Sequence, residues 1–118
     1  MIDQPQVRAP RAPFNFAQHL IERHAARADK PACIDDHGTL HYGELAGRVR
    51  RLAAALHATG LRRDERVLLL MHDCNDWPVA FLGALYAGIV PVAVNTLLTA
   101  DDCAYMLRDS GARAPCNR

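Results

Sequence analysis

Apolar positions fall at helical spacing twice in the first half of the chain, then close up into two almost unbroken runs in the second. Asn15 can cap a helix from Phe16 to about Arg27, and Ala17, Leu20, Ile21, His24 and Ala25 then share one face. Lys30-Pro31 stops it. Two short stretches, Ala32-Cys33-Ile34-Asp35 and Thr39-Leu40-His41-Tyr42, flank a polar turn at Asp36-His37-Gly38 and predict a β-hairpin. A second helix should span about Gly43 to Thr59, with Leu45, Val49, Leu52, Ala53 and Leu56 as its apolar stripe and Gly60 as its end.

The first unbroken run, Val67-Leu68-Leu69-Leu70-Met71, is the pattern of a strand buried on both faces of a parallel sheet. The second, Trp77 to Asn95, carries no charge and is long enough for a membrane span. Its punctuation favours another reading. Pro78 suits a first helical turn, Gly88 a helix end, and Pro91 neither, while Ala80, Ala84 and Ala87 form a small-residue stripe. Asn75 or Asp76 can cap this helix, and a short strand follows within Ile89–Val94. Strand, helix and strand make a right-handed βαβ unit with parallel strands. Thr99 and Asp102 then form a capping box, with Leu98 and Cys103 placed as a hydrophobic staple. Met106 and Leu107 continue the apolar face and Gly111 ends the helix. A strand should return next, yet Ala112 to Arg118 does not read as one, so the unit looks unfinished and the chain looks like the front part of something larger.

Composition narrows the chemistry. The chain has 118 residues, half of them hydrophobic, and a net charge of +1, which fits one small domain with no global field for nucleic acid or an anionic membrane. Lys30 is the only lysine and Ser110 the only serine, so neither a Walker-type phosphate loop nor a Gly-x-Ser-x-Gly elbow exists. Arg48, Arg50, Arg51, Arg62, Arg63 and Arg66 cluster in sequence. No aromatic residue interleaves with them and Glu44, Asp64 and Glu65 dilute them, so a solvated helix face is the better reading. His37 and His41 lack a third ligand nearby, and Cys33, Cys74, Cys103 and Cys116 form no metal-finger spacing, which suggests ordinary thiols in a reducing cytosol. Residues 1–13 read as a flexible lead-in with no signal peptide, which makes a cytoplasmic protein the expectation.

Two strings carry a resemblance. LHYGELAGRVRRLAAAL from Leu40 resembles the first core motif of the adenylate-forming superfamily of acyl-CoA synthetases, luciferase and adenylation domains, and FLGALYAGIVPVAVN from Phe81 resembles its second. FNFAQHL from Phe14 and VPVAVNTLLTADDCAYML from Val90 look like benzoate-CoA ligases and their hydroxybenzoate relatives. The resemblance runs from about Phe14 to Ala114. It departs at Cys103, where the benzoate group usually has Tyr, and after Ala114, where relatives continue with an apolar strand.

The resemblance implies an α/β fold: a partial N-terminal subdomain with a β-hairpin, a βαβ unit, flanking helices and an incomplete sheet. Residues 14–114 would be the N-terminal part of the AMP-binding domain, and 115–118 an aberrant tail such as a frameshift, a premature stop or a fragmentary gene model leaves. The family joins an aromatic acid to CoA through an acyl-adenylate, releasing AMP and pyrophosphate, and uses ATP, Mg and CoA. Its phosphate loop, acid pocket and catalytic lysine come later in the chain, so this segment is expected to be an inactive scaffold that binds none of these cofactors. Lys30 does not match the catalytic lysine, and Leu97 stands where some relatives place a basic residue near the CoA phosphates. No catalytic, cofactor-binding or metal residue is therefore assigned. The implied partner is the remainder of the ligase chain, with the outer face a candidate surface for a homodimer and no role for nucleic acid or membrane. A stand-alone α/β binding or self-associating module without catalysis is the alternative, and a membrane-anchored protein the third.

Overall fold

The computed structural model describes residues 4–117, and their side chains as far as residue 113. Asn15 opens helix α1 (Phe16–Arg23), its side chain accepting the backbone N–H of Gln18 at 3.0 Å. The helix ends sooner than its periodicity suggests, and Ala25–Arg27 tightens into a 3-10 turn. The cause is tertiary. The carbonyls of Ala28 and Lys30 accept the N–H groups of Gly43 and Tyr42, so the chain must turn to reach the next long helix and supply its missing N-terminal acceptors. Between these contacts, β1 (Pro31–Asp35) and β2 (Gly38–His41) pair as an antiparallel hairpin across Asp36-His37, as the turn residues predict.

Helix α2 (Tyr42–Ala58) leads to β3 (Arg66–Leu70), α3 (Asp76–Tyr86) and β4 (Val90–Ala93). The two strands are parallel, with Val67 opposite Pro91 and Leu69 opposite Ala93, which is the expected βαβ unit. Helix α4 (Ala100–Ser110) has both capping-box bonds between Thr99 and Asp102, and Gly111 closes it at φ 64°. Leu98 and Cys103 are each half-buried.

The end of the chain corrects the sequence reading. Ala114–Asn117 forms a fifth strand, β5, parallel to β3, so the sheet order is β4-β3-β5 with β3 in the middle. The second edge of β3 offers unpaired backbone groups, and the N–H of Arg113 donates to the Arg66 carbonyl at 2.9 Å to set the register. Pro115 is compatible with this place because β5 is an edge strand. The three-stranded sheet still has two open edges.

Two buried clusters share the helix pair α2–α3. Val67, Leu69 and Met71 project from the sheet onto Ala53, Ala80, Ala84, Ala87 and Ile89. On the other side, Leu45, Val49 and Leu82 meet Ala17 and Ile21 of α1 and Leu40 of the hairpin. Helix α3 is thus covered on two sides, which accounts for the apolar run after Asp76. No helix among the described residues is long and apolar enough to cross a membrane. The crossover from β4 back past β3 to β5 reverses the direction of travel, and right-handedness then sets α4 on the sheet face opposite α3. Leu68, turned to that face, is only 2% exposed.

Candidate functional site

Open parallel sheets bind ligands in crevices beyond the carboxyl ends of their strands. Two depressions lie there, and Met71 and His72, just past β3, line both. The first, about 640 Å³, opens between β3, the hairpin turn and the starts of α2 and α3, and Asp35, Glu44, Arg48 and Asp76 supply its charge. The second, about 550 Å³, is walled by Asp73, Trp77, Asn95 and Thr96. Trp77 stacks on Phe81 with ring centroids 5.1 Å apart.

Asp35 organises the first depression. Its Oδ1 accepts the N–H groups of His37 at 2.8 Å and Gly38 at 3.0 Å, and its Oδ2 accepts that of Asn75 at 2.9 Å. The Asn75 side chain donates to the Gly38 carbonyl at 2.9 Å. Asn75 does occupy the N-cap position of α3, but its side chain makes no cap bond because the hairpin has claimed it. The hairpin turn and the start of α3 are therefore clasped by two bonds, from the Asn75 backbone to Asp35 and from the Asn75 side chain to Gly38. The N–H of Asn75 first, then that of His37, holds the Asp35 carboxyl below its ordinary pKa, against the opposing effect of burial. Arg48 completes the wall, bonded to Glu44 at 2.9 Å and to Asp76 at 3.4 Å.

This clasp yields a pH prediction. Because the folded carboxyl titrates lower than the unfolded one, its stabilisation is fully present above the ordinary value of about 3.9 and is lost as pH falls below that through the lowered one. Thermal melts from neutral to acid pH should show Asp35→Asn with a lower midpoint at pH 7 and a weakened acid limb. Asp36→Ala, one residue on and exposed, should follow the parent curve.

The residues weighed from sequence fall elsewhere or are already engaged. His37 lines the first depression but is exposed, His41 is half-buried at the end of β2, and no group of three metal-binding side chains occurs among the described residues. Arg50, Arg51, Arg62, Arg63 and Arg66 are exposed, in keeping with a solvated face. Lys30 is exposed and Leu97 is 88% exposed. Cys33, Cys74 and Cys103 are free and half-buried, while the side chain of Cys116 lies outside the described residues. Sequence reasoning missed the clasp because its bonds span 37 and 40 residues, and Asp35 and Asn75 looked like separate turn and cap residues.

Neither depression presents an unengaged lysine or arginine. The first presents the carboxylates of Asp35, Glu44 and Asp76 beside one guanidinium that two of them already engage. The second has no lysine or arginine in its wall. What the edge offers is a polar seam, hydrogen-bonded between the hairpin turn and the start of α3, beside apolar surface.

The family described as AMP-binding enzyme matches residues 21–115. The benzoate--CoA ligase of Thauera aromatica is 47% identical over 112 residues, which are 92% of this chain and 21% of that protein. The 4-hydroxybenzoate--CoA/benzoate--CoA ligase of Rhodopseudomonas palustris is 42% identical over 106 residues, covering 88% of this chain and 20% of that one. A crystal structure of a benzoate CoA ligase from Burkholderia xenovorans LB400 superposes with a TM-score of 0.85 at 56% identity, over 86% of this chain and 21% of that chain. The chain thus spans about a fifth of the length of these relatives.

Proposed function

The chain belongs to the AMP-binding enzyme family, and from that premise we propose that it is the N-terminal part of a benzoate-CoA ligase-like enzyme, serving as scaffold. The observation that carries this reading is the 56% identity to the Burkholderia xenovorans benzoate CoA ligase over a superposable α/β segment. In such an enzyme an aromatic acid would be activated by ATP with Mg and passed to CoA. Those steps would fall to the remainder of the ligase, in keeping with a first depression whose one arginine is engaged by carboxylates and a second with no lysine or arginine in its wall. The chain's own contribution would be to hold the seam at the carboxyl ends of β3 and β4 in a fixed shape. Exposed Leu97, Tyr105 and Met106 on and before α4 would be covered by the later segments. The cytoplasm is the proposed compartment.

One observation favours the alternative of a self-contained module: β5 fills the second edge of β3. A chimera separates the two readings. This chain would replace the matching segment of the Burkholderia xenovorans ligase, and benzoate-dependent ATP–pyrophosphate exchange would be measured. Exchange is expected from the chimera and none from the 118-residue chain alone. A folded, soluble chimera without exchange would overturn the scaffold role. Exchange by the isolated chain would overturn its inactivity.

A further inference from the structure

The corner where α1 gives way to the 3-10 turn holds an arrangement that the clasp and the two depressions do not use. The ring of His24 lies flat on that of Tyr42, centroids 4.0 Å apart and planes 7° from parallel. Its Nδ1 is buried and has no hydrogen-bond partner among the described residues. Beside the stack is a hollow of about 200 Å³, lined mainly by Ile21, Ala25, Ala28, Gly43 and Ala46. The charges around the ring are of one sign. Arg23 on α1, Arg27 on the 3-10 turn and Lys30 on the loop after it all act on His24, and Arg50 of α2 lines the hollow, which no carboxylate does.

We propose that the His24–Tyr42 stack is an acid-released joint between the α1 corner and α2, closed while the imidazole is neutral and opened by a proton on Nδ1. In the neutral ring with its proton on Nε2, Nδ1 presents only a lone pair, and burying it is tolerable. Protonation places an N–H and a positive charge at an atom with no acceptor, beside Arg23, Arg27, Lys30 and Arg50. Attraction of a cation to the Tyr42 face acts the other way. It is one contact against the like charges of Arg27, Arg23 and Lys30 and a stranded donor, so the neutral ring wins. Burial, then Arg27, Arg23 and Lys30, accordingly lower the His24 pKa. A base whose folded pKa is lowered favours folding fully above its ordinary value of about 6.5, and the joint loosens as pH falls below that toward the lowered value. What loosens is α1, whose Ala17 and Ile21 enter the second cluster only while the corner is held.

Proton NMR of the full chain tests this directly. His24 should titrate below the ordinary imidazole value of about 6.5, and the NOEs between the His24 and Tyr42 rings should disappear as His24 protonates. Amide exchange across α1, taken relative to β3, should rise over the same interval, and in His24→Phe that ratio should not change with pH. A His24 midpoint at or above about 6.5 overturns the proposal. So do ring NOEs that survive protonation, a reading that needs no variant to fold.

Discussion

Gly83→Ala is expected to destabilise the chain by about 1–3 kcal/mol, the usual cost of overpacking a well-filled interior. Helix propensity alone predicts the opposite, since alanine is favoured over glycine by up to about 1 kcal/mol in a helix. Packing decides the sign. A Cβ at Gly83 would stand 2.7 Å from Cδ2, 3.0 Å from Cγ and 3.1 Å from Cβ of Leu52. The Leu52 methyl could swing aside, but its Cβ is fixed to the α2 backbone, so α2 and α3 would have to separate. Gly47 on α2 is the control, because a Cβ there would meet only the guanidinium end of Arg51, at 3.5 Å and beyond. Urea melts should show Gly47→Ala unchanged or slightly more stable and Gly83→Ala clearly less so. Adding Leu52→Ala to Gly83→Ala should recover part of the loss, since the two positions touch. If Gly83→Ala is as stable as the parent, the helices do not approach as described.

Leu69→Ala should cost more, about 2–5 kcal/mol, the range for emptying a filled leucine site. Leu69 is 1% exposed in β3 and belongs to the cluster beneath α2 and α3. Its small neighbours Ala53, Ala80, Ala84 and Ala87 have no spare side chain to swing into the gap. Domains of this kind hold about 5–15 kcal/mol in total, so the variant should melt many degrees lower or fail to fold at growth temperature. Ile34→Ala makes the comparison, because Ile34 is 73% exposed on the hairpin and should change stability by at most about 0.5 kcal/mol. Equal effects at the two positions would contradict the burial described.

Much of the fold was legible because local chemistry and tertiary context agree. The hairpin turn before Gly38, the capping box at Thr99 and the left-handed glycines after α2, α3 and α4 are short-range signals that nothing in the packing opposes. The apolar stretch from Trp77 divides into α3 and β4 at Gly88, whose φ is 78°. Three features were hidden by distance. Helix α1 stops early because the chain after it turns to offer the Ala28 and Lys30 carbonyls to the first N–H groups of α2. The side chain of Asn75 serves the hairpin rather than its own helix. The segment after Gly111 becomes a strand because β3 has a free edge, although Ala114, Pro115 and Asn117 carry little strand propensity of their own. The candidate site was less legible than the fold. Its residues come from the hairpin, α2 and the β3–α3 loop, and no spacing rule connects them.

The placing of β3 between two later strands also bears on how the chain is made. A protein grows from its N-terminus, and β3 leaves the ribosome with neither neighbour yet synthesised. Residues up to Ala93 complete one side, but the other must wait for the whole of α4 and for Ala114 and beyond. Throughout that interval the most hydrophobic strand presents an open row of backbone donors and acceptors, the kind of edge that recruits chaperones or other nascent chains. The rate at which translation passes from β4 to β5 should therefore govern how much of this chain reaches its native form.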